Sequence, residues 1–169
     1  MPVSTGEELL LFILNSTPLV NGDSQDLLAD PTGAPPALRR FGGTGSPEEL
    51  EAVRAVRPLL QQAVRGDIPA DALASALTSV HRTPRLTATG LTWTLVVAPD
   101  RRLAVQAVLA WAEMRESAPG RLRPCANDEC RLFLVDRSRA NTARWCSMAT
   151  CGNRLKARRH YRRSVSPDA

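Results

Sequence analysis

The 169-residue chain lacks any long apolar run, and that absence bounds its class first. The longest, Leu9–Leu14, falls far short of the roughly 20 residues a membrane helix needs. Acidic Glu7 and Glu8 precede it, which argues against a signal peptide. The reading is therefore a soluble cytoplasmic protein. Lysine is almost missing: Lys156 stands alone, and arginine carries the positive charge. No G-x-x-x-x-G-K-[ST] or G-x-G-x-x-G element occurs, so nucleotide binding has no support. Gly42-Gly43-Thr44-Gly45 is glycine-rich but has no lysine after it, and reads as a plain loop. There are only two histidines, neither near a Ser or Cys plus Asp pattern suited to nucleophilic catalysis. His81 reads as a helix C-terminal cap or surface group. No internal repeat is present. The chain is not expected to be an enzyme.

Cysteine is absent until position 125 and then occurs four times. Cys125 and Cys130 form one C-x4-C pair and Cys146 and Cys151 a second, with fifteen residues between the pairs. Two such pairs on short loops supply the four soft ligands of a tetrahedral Zn²⁺, expected as one structural ion per chain. Two disulfides are the alternative. Without a secretory signal the thiols are expected to stay reduced, which favours the metal. Four cysteines close the coordination shell, leaving no open position for metal catalysis and no need for His160 as a ligand.

Charge is divided unevenly. Residues 121–169 hold 12 Lys+Arg against 4 Asp+Glu, a balance of +8, while residues 1–120 hold 10 against 13, a balance of −3. A basic end on a mildly acidic body suits a phosphate-bearing partner. Zn²⁺ with four thiolates carries −2, so some arginines only compensate the site, but the excess is larger than that.

Hydrophobic spacing marks a first helix at residues 7–16 and a turn at Asp26–Ala29 within a Pro/Gly-rich stretch. Ser46-Pro47-Glu48-Glu49 starts a capped helix, with Glu49 closing a capping box and Pro58 kinking or splitting it before Gly66. A further helix starts at Asp67 or Pro69, with Leu73, Leu77 and Val80 on one face. Alternation through Leu91, Trp93, Leu95 and Val97 predicts a strand, paired as a hairpin with Arg85–Thr89. Residues Arg101–Glu116 form a helix burying Leu103, Ala107, Val108, Trp111 and Met114. Trp93 and Trp111 could line a small-molecule pocket, although apolar stripes are more often core. Ala118-Pro119-Gly120 marks the domain boundary. After Cys130 a short strand, Leu132–Val135, pairs with Arg121–Arg123. Trp145 roofs the small core, and Ser147 caps a helix from about Met148 to Arg162. Drawn at 100° per residue, that helix turns Met148, Cys151 and Leu155 toward metal and core.

The expected fold is α+β: a mainly helical domain with a short β-hairpin at residues 1–120, then a small treble-clef-like finger at 121–169 with a basic C-terminal helix. Asn153, Arg154, Lys156, Arg158, Arg159, Arg162 and Arg163 are the candidate nucleic-acid contacts. Arginine forks onto phosphates and guanine edges, and Asn pairs with adenine. Asn153 could equally make local backbone hydrogen bonds.

Particular words sharpen this. Cys151-Gly152-Asn153-Arg154 resembles the signature of the CGNR zinc-finger family, as do Arg144-Trp145-Cys146-Ser147-Met148, Lys156-Ala157-Arg158-Arg159, Cys125-Ala126-Asn127, and Phe133 with Asp136 and Ser138. The resemblance spans residues 122–163. More loosely, Leu10–Ser16 and Asp26–Pro31 resemble the ABATE domain that precedes such fingers in bacterial stress-induced transcription regulators. That family often has an acidic residue in its first apolar run, where this chain has Phe12. The resemblance implies a DNA-binding transcriptional regulator whose N-terminal domain senses a small-molecule effector or forms a homodimer. The alternative is a protein- or RNA-interaction module with a purely structural finger.

Overall fold

The computed structural model describes residues 5–20, 22–29 and 36–153. Helix α1 (Thr5–Leu14) is followed by a two-residue ladder of β1 (Leu19–Val20) and β2 (Asp23–Ser24), a short α2 (Pro36–Arg39) and the long α3 (Pro47–Arg65). A 3₁₀ helix (Ala70–Leu77) leads to the hairpin of β3 (His81–Thr87) and β4 (Gly90–Val96). A 3₁₀ turn at Pro99–Arg101 opens α4 (Arg102–Ser117), and β5 (Leu122–Pro124) pairs with β6 (Phe133–Val135). The arrangement is mixed helix and small sheet, each sheet two antiparallel strands. No helix among the described residues is long and apolar enough to cross a membrane.

Three helices make the core. Leu9, Leu10, Ile13 and Leu14 of α1 meet Leu50, Val53, Val56 and Leu60 of α3 and Leu103, Ala107, Val108, Trp111 and Met114 of α4. The spacing of each set is helical, so every stripe faces inward, as the sequence predicts. Phe12 lies half-buried beside Phe41 with their ring centroids 5.9 Å apart.

Helix α3 begins on a cap that differs from the expected box. Ser46 Oγ accepts from the Glu49 amide at 3.1 Å, as predicted. The fully buried Glu49 carboxylate does not return to Ser46; it accepts from the amides of Thr44 and Gly45, both at 3.0 Å. Gly43 permits this, because a Cβ there would lie 2.6 Å from Glu49 Oε2. The glycine-rich loop is thus a backbone cradle for one internal carboxylate. Pro58 does not split α3: it sits exposed within one continuous helix, where solvent can serve the carbonyl its ring leaves behind.

Further expectations are corrected. The segment from Ala70 is a 3₁₀ helix, of which Leu73 alone is fully buried; Leu77 and Val80 are half-buried. His81 is the exposed first residue of β3, so the surface-group reading holds and the helix cap does not. The hairpin forms, but its first strand is His81–Thr87 instead of Arg85–Thr89, with Leu86 opposite Leu91 and Pro84 opposite Trp93. The two tryptophans do not share a cavity: Trp111 is buried under the Arg115 guanidinium, 4.9 Å from its ring centroid, whereas Trp93 is exposed.

Strand β6 belongs to the same core as the helices. Phe133 is 1% exposed and packs with the buried residues of α1, α3 and α4. Asn15, just past α1, seals the join: its Oδ1 accepts from the Phe133 amide at 2.7 Å and its Nδ2 donates to the Phe133 carbonyl at 3.1 Å. The Arg65 guanidinium lies 4.6 Å from the Phe133 ring centroid, and Arg137 pairs with Glu7.

Candidate metal centre

Strands β5 and β6 present the first cysteine pair. Cys125 follows β5, and its amide donates to the Leu132 carbonyl at 2.8 Å. The chain then turns through Asn127, whose carbonyl accepts from the Cys130 amide at 2.7 Å. The second pair arrives from a separate loop. The Arg144 carbonyl accepts from the Ala126 amide at 2.8 Å, which lays the two knuckles side by side.

All four cysteines are free thiols, and their Sγ atoms lie within 4.8 Å of one another. Cys130 Sγ is 3.7 Å from Cys146 Sγ, which is 3.6 Å from Cys151 Sγ. A disulfide needs about 2.05 Å. Tetrahedral Zn²⁺ with Zn–S of about 2.3 Å places its sulfurs about 3.8 Å apart. The donor set and its spacing therefore fit one zinc ion. Backbone amides already point at the sulfurs: Leu132 N lies 3.5 Å from Cys130 Sγ, and Cys146 N lies 3.5 Å from Cys125 Sγ.

The electrostatics say why a cation is needed. Burial pushes the Cys130 thiol up to about 11, well above the ordinary thiol value. Burial raises Cys146 too, and hydrogen bonds with Cys151 and Cys130 add to the effect. Burial also opposes ionisation of Cys151, but hydrogen bonds from Asn127 and the neighbouring thiols outweigh it and lower its pKa. Without a metal Cys130 and Cys146 therefore resist ionisation; a bound divalent cation deprotonates coordinating thiols outright.

Two supporting residues could not be assigned roles from the sequence. Asn127 is 2% exposed and donates from Nδ2 to Cys151 Sγ at 3.6 Å, while its Oδ1 accepts from the Glu129 amide at 3.4 Å. Asp136 is fully buried and organises the loop between the pairs. Its carboxylate accepts from the amides of Ser138 and Ala143, each at 2.8 Å, and from Arg123 Nη2 at 2.9 Å. Hydrogen bonding to Ser138, against the cost of burial, holds its pKa below the usual carboxylate value. Arg123 also reaches Asn141. The only sequence signals were the words Cys125-Ala126-Asn127 and Asp136-x-Ser138. Partners around a metal typically contribute 10–100-fold to its affinity. Replacement of Asn127 by Ala is expected to weaken zinc binding by about that factor, with one ion per chain still bound, as read by competition with a chelating dye.

The second pair sits on a turn that the 100° drawing misplaces. Ser147 caps it as predicted, its Oγ accepting from the Thr150 amide at 3.4 Å. Met148–Gly152 is a π turn, wider than an α turn, with the Gly152 amide donating to the Ser147 carbonyl at 3.1 Å. Cys151 is buried, but Met148 is 54% exposed instead of facing the metal. Gly152 lets Met148 and Trp145 lie close over the turn. A Cβ there would meet Met148 Sδ and Cε at 2.9 Å and half-buried Trp145 at 3.3 Å.

Of the predicted nucleic-acid contacts, Asn153 is exposed at the end of this turn. Arg154, Lys156, Arg158, Arg159, Arg162 and Arg163 lie outside the described residues, as do Leu155 and His160. Comparison with known families matches residues 121–164 to the CGNR zinc finger. No curated protein matches the chain. The match contains all four clustered cysteines, which in this finger fit one structural zinc ion.

Proposed function

We propose that the chain is a zinc-dependent DNA-binding transcriptional regulator of the cytoplasm, not an enzyme, whose finger begins near residue 121 and shares strand β6 with the core of the helical part. The finger is a treble clef whose hairpin knuckle carries the first cysteine pair and whose Ser147-capped turn carries Cys151, and it contacts the duplex. Residues 1–120 form an ABATE-like domain that senses a small-molecule effector or pairs protomers. The observation that carries the reading is the charge division, +8 after residue 120 against −3 before it. Half of those cations, six of twelve, follow Asn153, directly beyond the metal-bound turn. Among the described residues of the finger, Arg131 and Arg139 are also exposed.

Such a tail supplies mainly phosphate contacts, each releasing counterions, so affinity falls steeply with salt. Asn153 and one or two arginines read base edges at ~1–3 kcal/mol each. Joint replacement of Arg158, Arg159, Arg162 and Arg163 by Ala is expected to abolish duplex binding at physiological salt while zinc stays bound. Single replacements should lower the log–log salt slope by about one each. Fluorescence anisotropy and metal analysis read both. A quadruple variant that binds duplex DNA like the parent would move the protein- or RNA-interaction reading ahead.

A further inference from the structure

A cavity of about 340 Å³ opens where helix α4 meets the loop that joins the two cysteine pairs, and none of the four cysteines lines it. Its volume lies within the roughly 300–1,000 Å³ of small-molecule sites. One wall is a stripe of α4 at helical spacing: Ala110, Glu113, Met114 and Ser117. Ala110 and Met114 are buried, and half-buried Val135 of β6 extends the apolar surface. The rest of the lining is largely charged or polar, from Glu7, Arg121 and residues 136–139.

Arg121 decides what such a cavity takes. Its Nη1 donates to the carbonyls of Asp136 and Ser138 at 2.8 and 2.9 Å, which fixes the guanidinium against the loop. Carbonyls orient the ion but do not neutralise it. A guanidinium has five N–H donors in a planar fork, and no ion pair among the described residues includes Arg121. Two acids of the same lining are already engaged. Glu7 pairs with Arg137, and the Asp136 carboxylate is held by Arg123 and the amides of Ser138 and Ala143. A half-buried cation without a counter-charge, beside apolar surface, favours an anion brought from outside. A carboxylate matches the fork with two parallel hydrogen bonds. Glu113 is exposed on the α4 stripe, so a second negative group on the ligand would meet a like charge.

We propose that this cavity binds a small monocarboxylate with an apolar body, its carboxylate on Arg121 and its body against Ala110, Met114 and Val135. This gives the effector of the regulator proposed above a place and a chemistry, and its regulatory meaning rests on that reading. A ligand on Arg121 touches the loop that runs on to Arg144, whose carbonyl takes the Ala126 amide, and to Cys146. The site therefore adjoins the segment that delivers the second cysteine pair.

The test titrates the zinc-loaded full chain, without DNA, with phenylacetate and hexanoate; neutral phenylacetamide and doubly charged succinate are the controls. Amide chemical shifts are expected to move at Met114, Arg121, Val135 and Ser138 with both monocarboxylates. Arg121→Gln should weaken phenylacetate binding by about 10–100-fold, the usual scale for hydrogen bonds to a charged group. Phenylacetamide and succinate should bind the parent at least about 10-fold more weakly than phenylacetate. Because Arg121 also holds the loop, Ser117→Trp provides a second variant: it fills the cavity from the exposed end of α4 and should block binding with zinc content and helical circular dichroism unchanged. The proposal is overturned if neither monocarboxylate moves these amides at millimolar concentration, or if phenylacetamide or succinate binds as tightly as phenylacetate. Zinc-loaded variants that bind phenylacetate like the parent also overturn it. Failure here leaves the DNA reading standing, and a chain that takes phenylacetate but no duplex loses the DNA reading alone.

Discussion

Removing zinc is expected to melt residues 125–130 and 136–152 while leaving α1, α3 and α4 helical. The finger offers little else to hold it. Two of its thiols, Cys130 and Cys146, are held protonated by burial when no cation is bound. Few large apolar side chains lie beyond β6: Trp145 is only half-buried and Met148 is exposed. Structural zinc contributes roughly 10–16 kcal/mol of apparent binding to finger peptides at neutral pH, more than such packing can supply. The helical part has its own buried cluster from Leu9 to Met114 and does not draw on the metal for it. Hydrogen exchange after chelation should show fast exchange at the Cys125, Cys130, Cys146 and Cys151 amides. Far-UV circular dichroism should keep most of its helical signal. Cys151→Ser should reproduce the chelated state. Complete loss of helical signal on chelation would mean that the helices depend on the metal throughout.

Phe133→Ala is expected to destabilise the whole chain by about 3–5 kcal/mol, the usual cost of emptying a buried aromatic site. Phe133 lies between the two cysteine pairs in sequence, yet it is 1% exposed among side chains of α1, α3 and α4. Its backbone is bound on both sides by the Asn15 amide. The substitution should therefore lower the denaturant midpoint read by helical circular dichroism, even with zinc saturating. It should also weaken zinc affinity, because a looser β6 displaces Cys130 and Leu132, whose amide faces Cys130 Sγ at 3.5 Å. Unchanged helical stability in the zinc-loaded variant would show that β6 is not part of the helical core.

The sequence makes the metal site legible because its information is local. Cys125, Cys130, Cys146 and Cys151 need only spacing and count to be read as a ligand set. The Ser46 cap and the β3–β4 hairpin are legible for the same reason, since capping residues and alternation act within a few positions. What escaped was long-range or geometric. Nothing local to Asn15 announces that its amide will hold Phe133, 118 residues away. Glu49 looked like a capping-box partner, but burial and the missing Cβ at Gly43 turned its carboxylate toward the preceding loop. Met148 was misplaced because a π turn does not keep 100° per residue. Asn127 and Asp136 were visible as words, but their roles depend on folding Cys151 and Ala143 back onto them.

The most direct test of the central claim is a titration of duplex DNA with the zinc-loaded full chain, with and without chelator, over a range of salt. One zinc per chain, binding with a steep negative salt slope, and loss of that binding on chelation are expected. Binding that survives chelation, or no duplex binding at physiological salt by chain carrying its zinc, would contradict that claim.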